Sequence, residues 1–133
     1  MCISAGIRIA YQRAPVSGAR LGEANLSGAN LRDANLTETN FSGTNFSGTN
    51  FTNSQLDTAS LVETRMNRAI LLHCTVYGIS AWKVALVGAR QINVIISKAD
   101  EPAITADSLE VAQVLYLRLH NAKIRHVIDT LTS

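Results

Sequence analysis

His73 and Cys74 are adjacent, and a thiol beside an imidazole is the pairing that activates a cysteine nucleophile. In an extended segment, however, neighbouring side chains point to opposite sides, so adjacency here separates the two groups. His120 and His126 lie six apart across a helix junction, with no Cys, His and carboxylate cluster at metal spacing around them. The stretch FSGTNFSGTN, Phe41 to Asn50, is rich in glycine and hydroxyls but lacks the lysine and following helix of a phosphate-binding loop. Cys2 and Cys74 do not form a disulfide framework. These residues assign no catalytic group, no metal ligand and no cofactor, and the expectation is a chain that is not an enzyme.

What the spacing does show is a period of five. From Ala19 a phrase recurs as ARLGE, ANLSG, ANLRD, ANLTE, TNFSG, TNFSG, TNFTN. The third residue of each phrase, its centre, is large and apolar: Leu21, Leu26, Leu31, Leu36, Phe41, Phe46, Phe51, Leu56, Leu61, Met66 and Leu71. The residue two before each centre is small, Ala, Thr or Ser. The register continues with centres at Val76, Ala81, Leu86, Gln91 and Ile96, and with Cys74 at a small position. Five matches neither the helical period of 3.6 nor the strand period of 2. It fits a phrase that forms one short side and then turns, with one large and one small residue facing in. Gly28, Gly43, Gly48, Gly78 and Gly88 sit two after a centre, where a tight turn favours glycine.

The phrases A-N-L-x-x and T-N-F-x-x resemble the pentapeptide-repeat family over about residues 19–97. The resemblance implies an all-β solenoid: a right-handed quadrilateral β-helix with four phrases per coil, about four coils in all. At the roughly 4.8 Å spacing of paired strands it would be a rod of about 19 Å. Its faces would stack Leu21, Phe41, Leu61 and Ala81; then Leu26, Phe46, Met66 and Leu86; then Leu31, Phe51, Leu71 and Gln91; then Leu36, Leu56, Val76 and Ile96. Gln91, an amide among inward positions, is expected near the end of the stack. Residues 1–13 read as an N-terminal segment or partial coil, 14–98 as the β-helix, and 99–133 as a linker and two short helices.

A solenoid needs a cap, and the C-terminal segment supplies a short α-helical one. Asp107-Ser108-Leu109-Glu110 reads as a capping box. Leu109, Val111, Ala112, Leu115, Tyr116 and Leu119 then follow at helical spacing, so helices are expected over about 108–120 and 122–131. VYGISAW, DEPAIT and the last twenty-five residues resemble bacterial pentapeptide-repeat proteins that continue into an extra α/β domain, which is absent before Ser133. That resemblance implies the N-terminal module of a larger signalling or defence protein.

Outward positions change character along the chain, from Asn, Ser, Thr and charge to Leu72, Tyr77, Trp82, Val87 and Ile92. These five form the candidate interaction surface, for another protein or for a homodimer through the C-terminal coil. Some family members imitate duplex DNA and bind DNA gyrase, which requires a strongly acidic surface. Here residues 17–97 carry six basic and five acidic side chains, which disfavours both that role and direct nucleic-acid binding. No apolar run reaches the roughly 20 residues of a membrane span, and Arg8 interrupts the only leader-like stretch, so the expected location is cytoplasmic. The leading expectation is a noncatalytic protein-interaction or spacer scaffold.

Overall fold

The computed structural model describes residues 22–120, together with Lys123, His126 and Thr130. Leu21, the segment 1–13 and most of the second expected helix lie outside the described residues. The chain winds so that each residue lies beside the one twenty further on. Parallel bridges join Asn25 to Asn45, Asn45 to Arg65, and Arg65 to Ala85, and the other three sides repeat the offset. Twenty residues are four phrases, so this is a β-helix-type repeat fold. Most phrases contribute a single bridge. Among the described residues, longer pairing occurs only at β1 (Ile70–Leu72) with β2 (Arg90–Ile92), in parallel, and at β3 (Val94–Ile95) with β4 (Thr105–Ala106), antiparallel.

The reason for five residues lies in where the backbone N–H groups go, since a buried one left unpaired is costly. In the phrase Thr44–Gly48, Asn45 N–H donates down to Ala24 O at 2.9 Å, while Phe46 and Gly48 donate up to Arg65 O and Asn67 O at 2.6 and 2.9 Å. Thr44 N–H closes the preceding turn onto Phe41 O at 2.9 Å. That leaves Ser47 N–H, and Asn45 Oδ1 accepts it at 3.0 Å. All five donors are thus satisfied. The same Asn-to-second-residue bond recurs at Asn25, Asn30, Asn35, Asn40 and Asn50, so the asparagine of each early phrase is a local acceptor for the one N–H that the stacking leaves out.

Each turn closes between a centre's carbonyl and the N–H three residues on, as in Leu26 O to Ala29 N at 3.0 Å. Every residue two after a centre, from Glu23 to Asn93, has positive φ; the residue before it does not, which is the signature of a type II turn. Glycine holds this position five times and other residues ten times. Thr58 (φ 57) is the one β-branched side chain among them, a type that suits this region poorly.

The inward positions form one continuous core. Leu26, Leu31, Leu36, Phe41, Phe46, Phe51, Leu56, Leu61, Met66, Leu71, Val76 and Ile96 are buried. Phe41, Phe46 and Phe51 lie on three successive faces of one coil, edge to face with centroids 4.9 Å apart; each such pair contributes about 0.5–1.5 kcal/mol beyond burial. The small positions hold hydroxyls that bond to the wall: Thr49 Oγ1 donates to Leu26 O at 2.7 Å and Thr64 Oγ1 to Leu61 O at 2.9 Å. Leu86, expected in the core, is only partly buried, because no further rung lies above its face.

After Ile96 the chain turns back. Ile96 N–H bonds Ile104 O at 2.9 Å, and β4, unanticipated from the polar sequence around Pro102, pairs with β3. Helix α1 (Leu109–His120) is capped by Ser108, not Asp107. Ser108 Oγ accepts Val111 N–H at 3.3 Å, while the Asp107 carboxylate bonds Asn93 N–H instead, so the capping box does not form as read. Leu109 and Ala112 are buried, whereas Val111 and Leu119 are exposed. Lys123, His126 and Thr130 are helical.

Thr58→Asn should raise the melting temperature by a few degrees. Asparagine tolerates positive φ, and a β-branched residue there costs about 1 kcal/mol. A thermal melt that falls instead would contradict the strain assigned to this turn.

Candidate interaction surface

The five expected surface residues all sit one after a centre, and consecutive phrases occupy consecutive faces. Four faces are therefore involved, and the side chains wind around the rod. Leu72 and Ile92 alone share a face; they are partners in the register of β1 and β2. Leu72 is half-buried and Ile92 is exposed. Val87 stands by itself at 78% exposure beside Arg68. The five do not form one patch.

Tyr77 is half-buried and belongs to the contact with α1. The Tyr116 ring meets it edge-on at 5.0 Å, and His120 stacks on Tyr116 at 4.6 Å and approaches Tyr77 at 5.3 Å. Lys98 Nζ lies 5.0 Å above the Tyr77 ring, within range of a cation–π contact. Gly78 (φ 66) lies beneath this contact, and a Cβ there would press on Thr58 Cγ2 at 3.2 Å.

Trp82 is 53% exposed on the first face, and α1 brings Val114 beside it. Together with Lys83, Val84, Glu110 and Gln113 they line a groove of about 310 Å³. Gln113 is buried at its base, and its Oε1 accepts Ala81 N–H at 2.6 Å. Gln91, at the end of the third face, accepts Leu109 N–H at 2.8 Å. Both amides thus tie helix to coil. Val111 and Val114 were not singled out as surface residues, because helical periodicity shows a stripe but not which residues at its margin stay in solvent.

The groups with chemical potential are kept apart. Cys74 is buried, donates to Phe51 O at 3.0 Å, and burial pushes its thiol up to about 11, so it is an inert wall residue. His73 occupies a turn with φ 58 and is exposed. Among the described residues no group of three His, Cys, Asp or Glu side chains could hold a metal ion, and no helix is long and apolar enough to cross a membrane.

One carboxylate is perturbed. Asp57 lines a polar groove with Gln55, Thr75, Lys98 and Glu101. Desolvation raises its pKa; the Tyr77 N–H, which donates to Asp57 Oδ1 at 2.9 Å, opposes this. The Thr75 hydroxyl adds a weaker pull in the same opposing sense, although its buried oxygen has no partner at hydrogen-bond geometry.

The family model described as "Pentapeptide repeats (8 copies)" matches twice, over residues 17–53 and 34–71. Over residues 17–71 the chain is similar to the pentapeptide-repeat family. Among solved structures, the pentapeptide-repeat protein Rfr23 from the cyanobacterium Cyanothece is similar at 30% identity over 58% of this chain and 56% of that one, with a TM-score of 0.33. HetL, a pentapeptide-repeat protein involved in heterocyst differentiation regulation from the cyanobacterium Nostoc, is similar at 19% identity over 71% of this chain and 46% of its own, with a TM-score of 0.30. QnrB1, a plasmid-mediated fluoroquinolone resistance protein, is similar at 14% identity over 66% and 49%, with a TM-score of 0.36. The matched region spans about half the length of these three proteins. No curated protein matches the chain.

An acid whose pKa is raised on folding binds more protons folded than unfolded, so its contribution to stability is greatest below the ordinary value of 3.8 and is lost as pH rises through the raised value. Asp57→Asn keeps an acceptor for Tyr77 N–H and removes the charge. It should melt with wild type at pH 3 and above wild type at pH 7; a variant less stable than wild type at pH 7 would contradict the assignment.

Proposed function

We propose that this chain is a noncatalytic, cytoplasmic pentapeptide-repeat scaffold that presents its C-terminal end to another protein. In this reading residues 14–98 form a right-handed quadrilateral β-helix of about four coils, preceded by a short segment 1–13. Residues 99–133 are the cap. Support for the cap comes from the rung donors that it answers: Gln113 for Ala81, Asp107 for Asn93, Ile104 for Ile96.

The observation that carries the scaffold reading is the half-exposed Trp82 held beside Val114. A large aromatic fixed between coil and helix, next to a groove and a charged rim, is the kind of anchor on which protein interfaces concentrate their binding energy. The rod's faces are less suited to imitating nucleic acid. Arg32, Arg65, Arg68, Lys83 and Arg90 all project to solvent among the acidic side chains, which works against a phosphate-like field.

Crosslinking in the source cells should recover a defined protein partner with wild type and lose at least tenfold of it with Trp82→Ala, whose melt should stay within a few degrees because the indole is largely outside the core. Equal recovery with both proteins would remove Trp82 from the interface, and repeated recovery of no partner would overturn the scaffold reading.

A further inference from the structure

Along the rod, the N–H of each centre and the N–H two residues later point to the coil above. On the second face, Met66 N–H reaches Ala85 O at 2.7 Å and Arg68 N–H reaches Val87 O at 2.9 Å. Leu86 and Gly88 occupy the same two positions twenty residues later, at the last coil. On each of the other three faces of that coil at least one of the two N–H groups meets an acceptor, and on the fourth both do, since Lys98 N–H has Glu101 Oε1. Ala81 N–H has Gln113 Oε1, Asn93 N–H has Asp107 Oδ1, and Ile96 N–H has Ile104 O. Among the described residues, none meets Leu86 N–H or Gly88 N–H.

The side chains of this face agree. Val84 and Leu86 are only partly buried although they occupy inward positions, and Val87 is the most exposed of the large apolar residues. Helix α1 starts on Gln91 of the third face, passes Ala81 of the first and ends on Tyr77 of the fourth, across the rod from the second. The groove between Trp82, Val84 and Val114 leads to the same edge.

Leu86 N–H ends a rung and Gly88 N–H lies in the turn that follows it (φ 72), and two donors spaced i and i+2 on one side offer what a strand edge offers, so what complements them is another backbone with two carbonyls free on one side. A helix cannot do so, because its carbonyls are taken up internally. Charge narrows the partner further. Arg65, Arg68, Lys83 and Arg90 flank the edge, against Glu63 and Glu110. We infer that Val84–Gly88 is a docking edge for an extended peptide with acidic flanks, which adds one rung to the second face and covers Val84 and Leu86 with an apolar side chain. This goes beyond the scaffold reading and rests on it only for the role of a partner.

The test uses the full chain and a fluorescent peptide that alternates valine with threonine and carries aspartates at both ends. Anisotropy should saturate, and the Leu86 and Gly88 amides should exchange at least tenfold more slowly with the peptide bound. Val87→Glu, an exposed position outside the core, should weaken binding at least tenfold, as should replacing the aspartates by lysines. Several results would overturn the proposal. The two amides could already exchange slowly in dilute protein alone, which would mean that the chain's own residues cover the edge. They could slow as the protein alone is concentrated, which would mean that a second copy does. The peptide could fail to bind while both amides exchange fast, or the lysine-ended peptide could bind equally well. None of these touches the crosslinking result at Trp82, so failure of the docking edge and failure of the scaffold reading are separable.

Discussion

Each phrase from Thr44 to Arg68, with a coil on either side, donates three of its five backbone N–H groups to the coils above and below, and the rest of the structure is organised to allow that. The offset of twenty residues holds on all four faces, from Asn25 with Asn45 to Thr75 with Ile95. A deletion of one residue anywhere in the rod would move a centre out of the core and place an outward side chain in it, in the same way that a register slip reverses a strand. Strict periodicity therefore reflects hydrogen bonding as much as packing. The backbone conformation follows from it too, since closing a turn every five residues places a positive φ at each corner even where no glycine is available.

Early and late coils solve the remaining hydrogen-bond problem differently. In the first phrases the asparagine before each centre accepts the leftover N–H locally, as Asn50 does for Thr52. Later phrases have Gln, Ser, Arg or Ile at that position, and in the last two coils two of the leftover donors find side chains of the coil below: Tyr77 N–H bonds Asp57 and Val87 N–H bonds Asn67. The late outward positions after the centres are where the large apolar groups Trp82 and Val87 stand.

The core was legible because it depends on residue type at a fixed period: Phe41, Phe46 and Phe51 announce an aromatic layer by spacing alone. The asparagines were harder. They face outward and look like ordinary solvated polar residues, and only the count of backbone donors shows what they do. The apolar residues after the late centres were visible as a group but not as a geometry, because a period of five in a four-sided coil sends successive members to different faces. Beyond the repeats, sequence placed α1 but chose the wrong N-cap, since Asp107 and Ser108 are both good N-caps and tertiary contact with Asn93 decides between them. Leu86 could not have been separated from the other centres without knowing that its face lacks a further rung.

Residue-by-residue native-state hydrogen exchange tests the central claim most directly. Within Thr44–Asn53, the amides of Asn45, Phe46, Gly48, Asn50, Phe51 and Asn53 should be strongly protected by bonds between coils, and those of Ser47 and Thr52, held only by surface asparagines, should exchange fastest. The pattern should repeat every five residues. Uniform protection through this stretch, or protection with no five-residue period, would contradict the account.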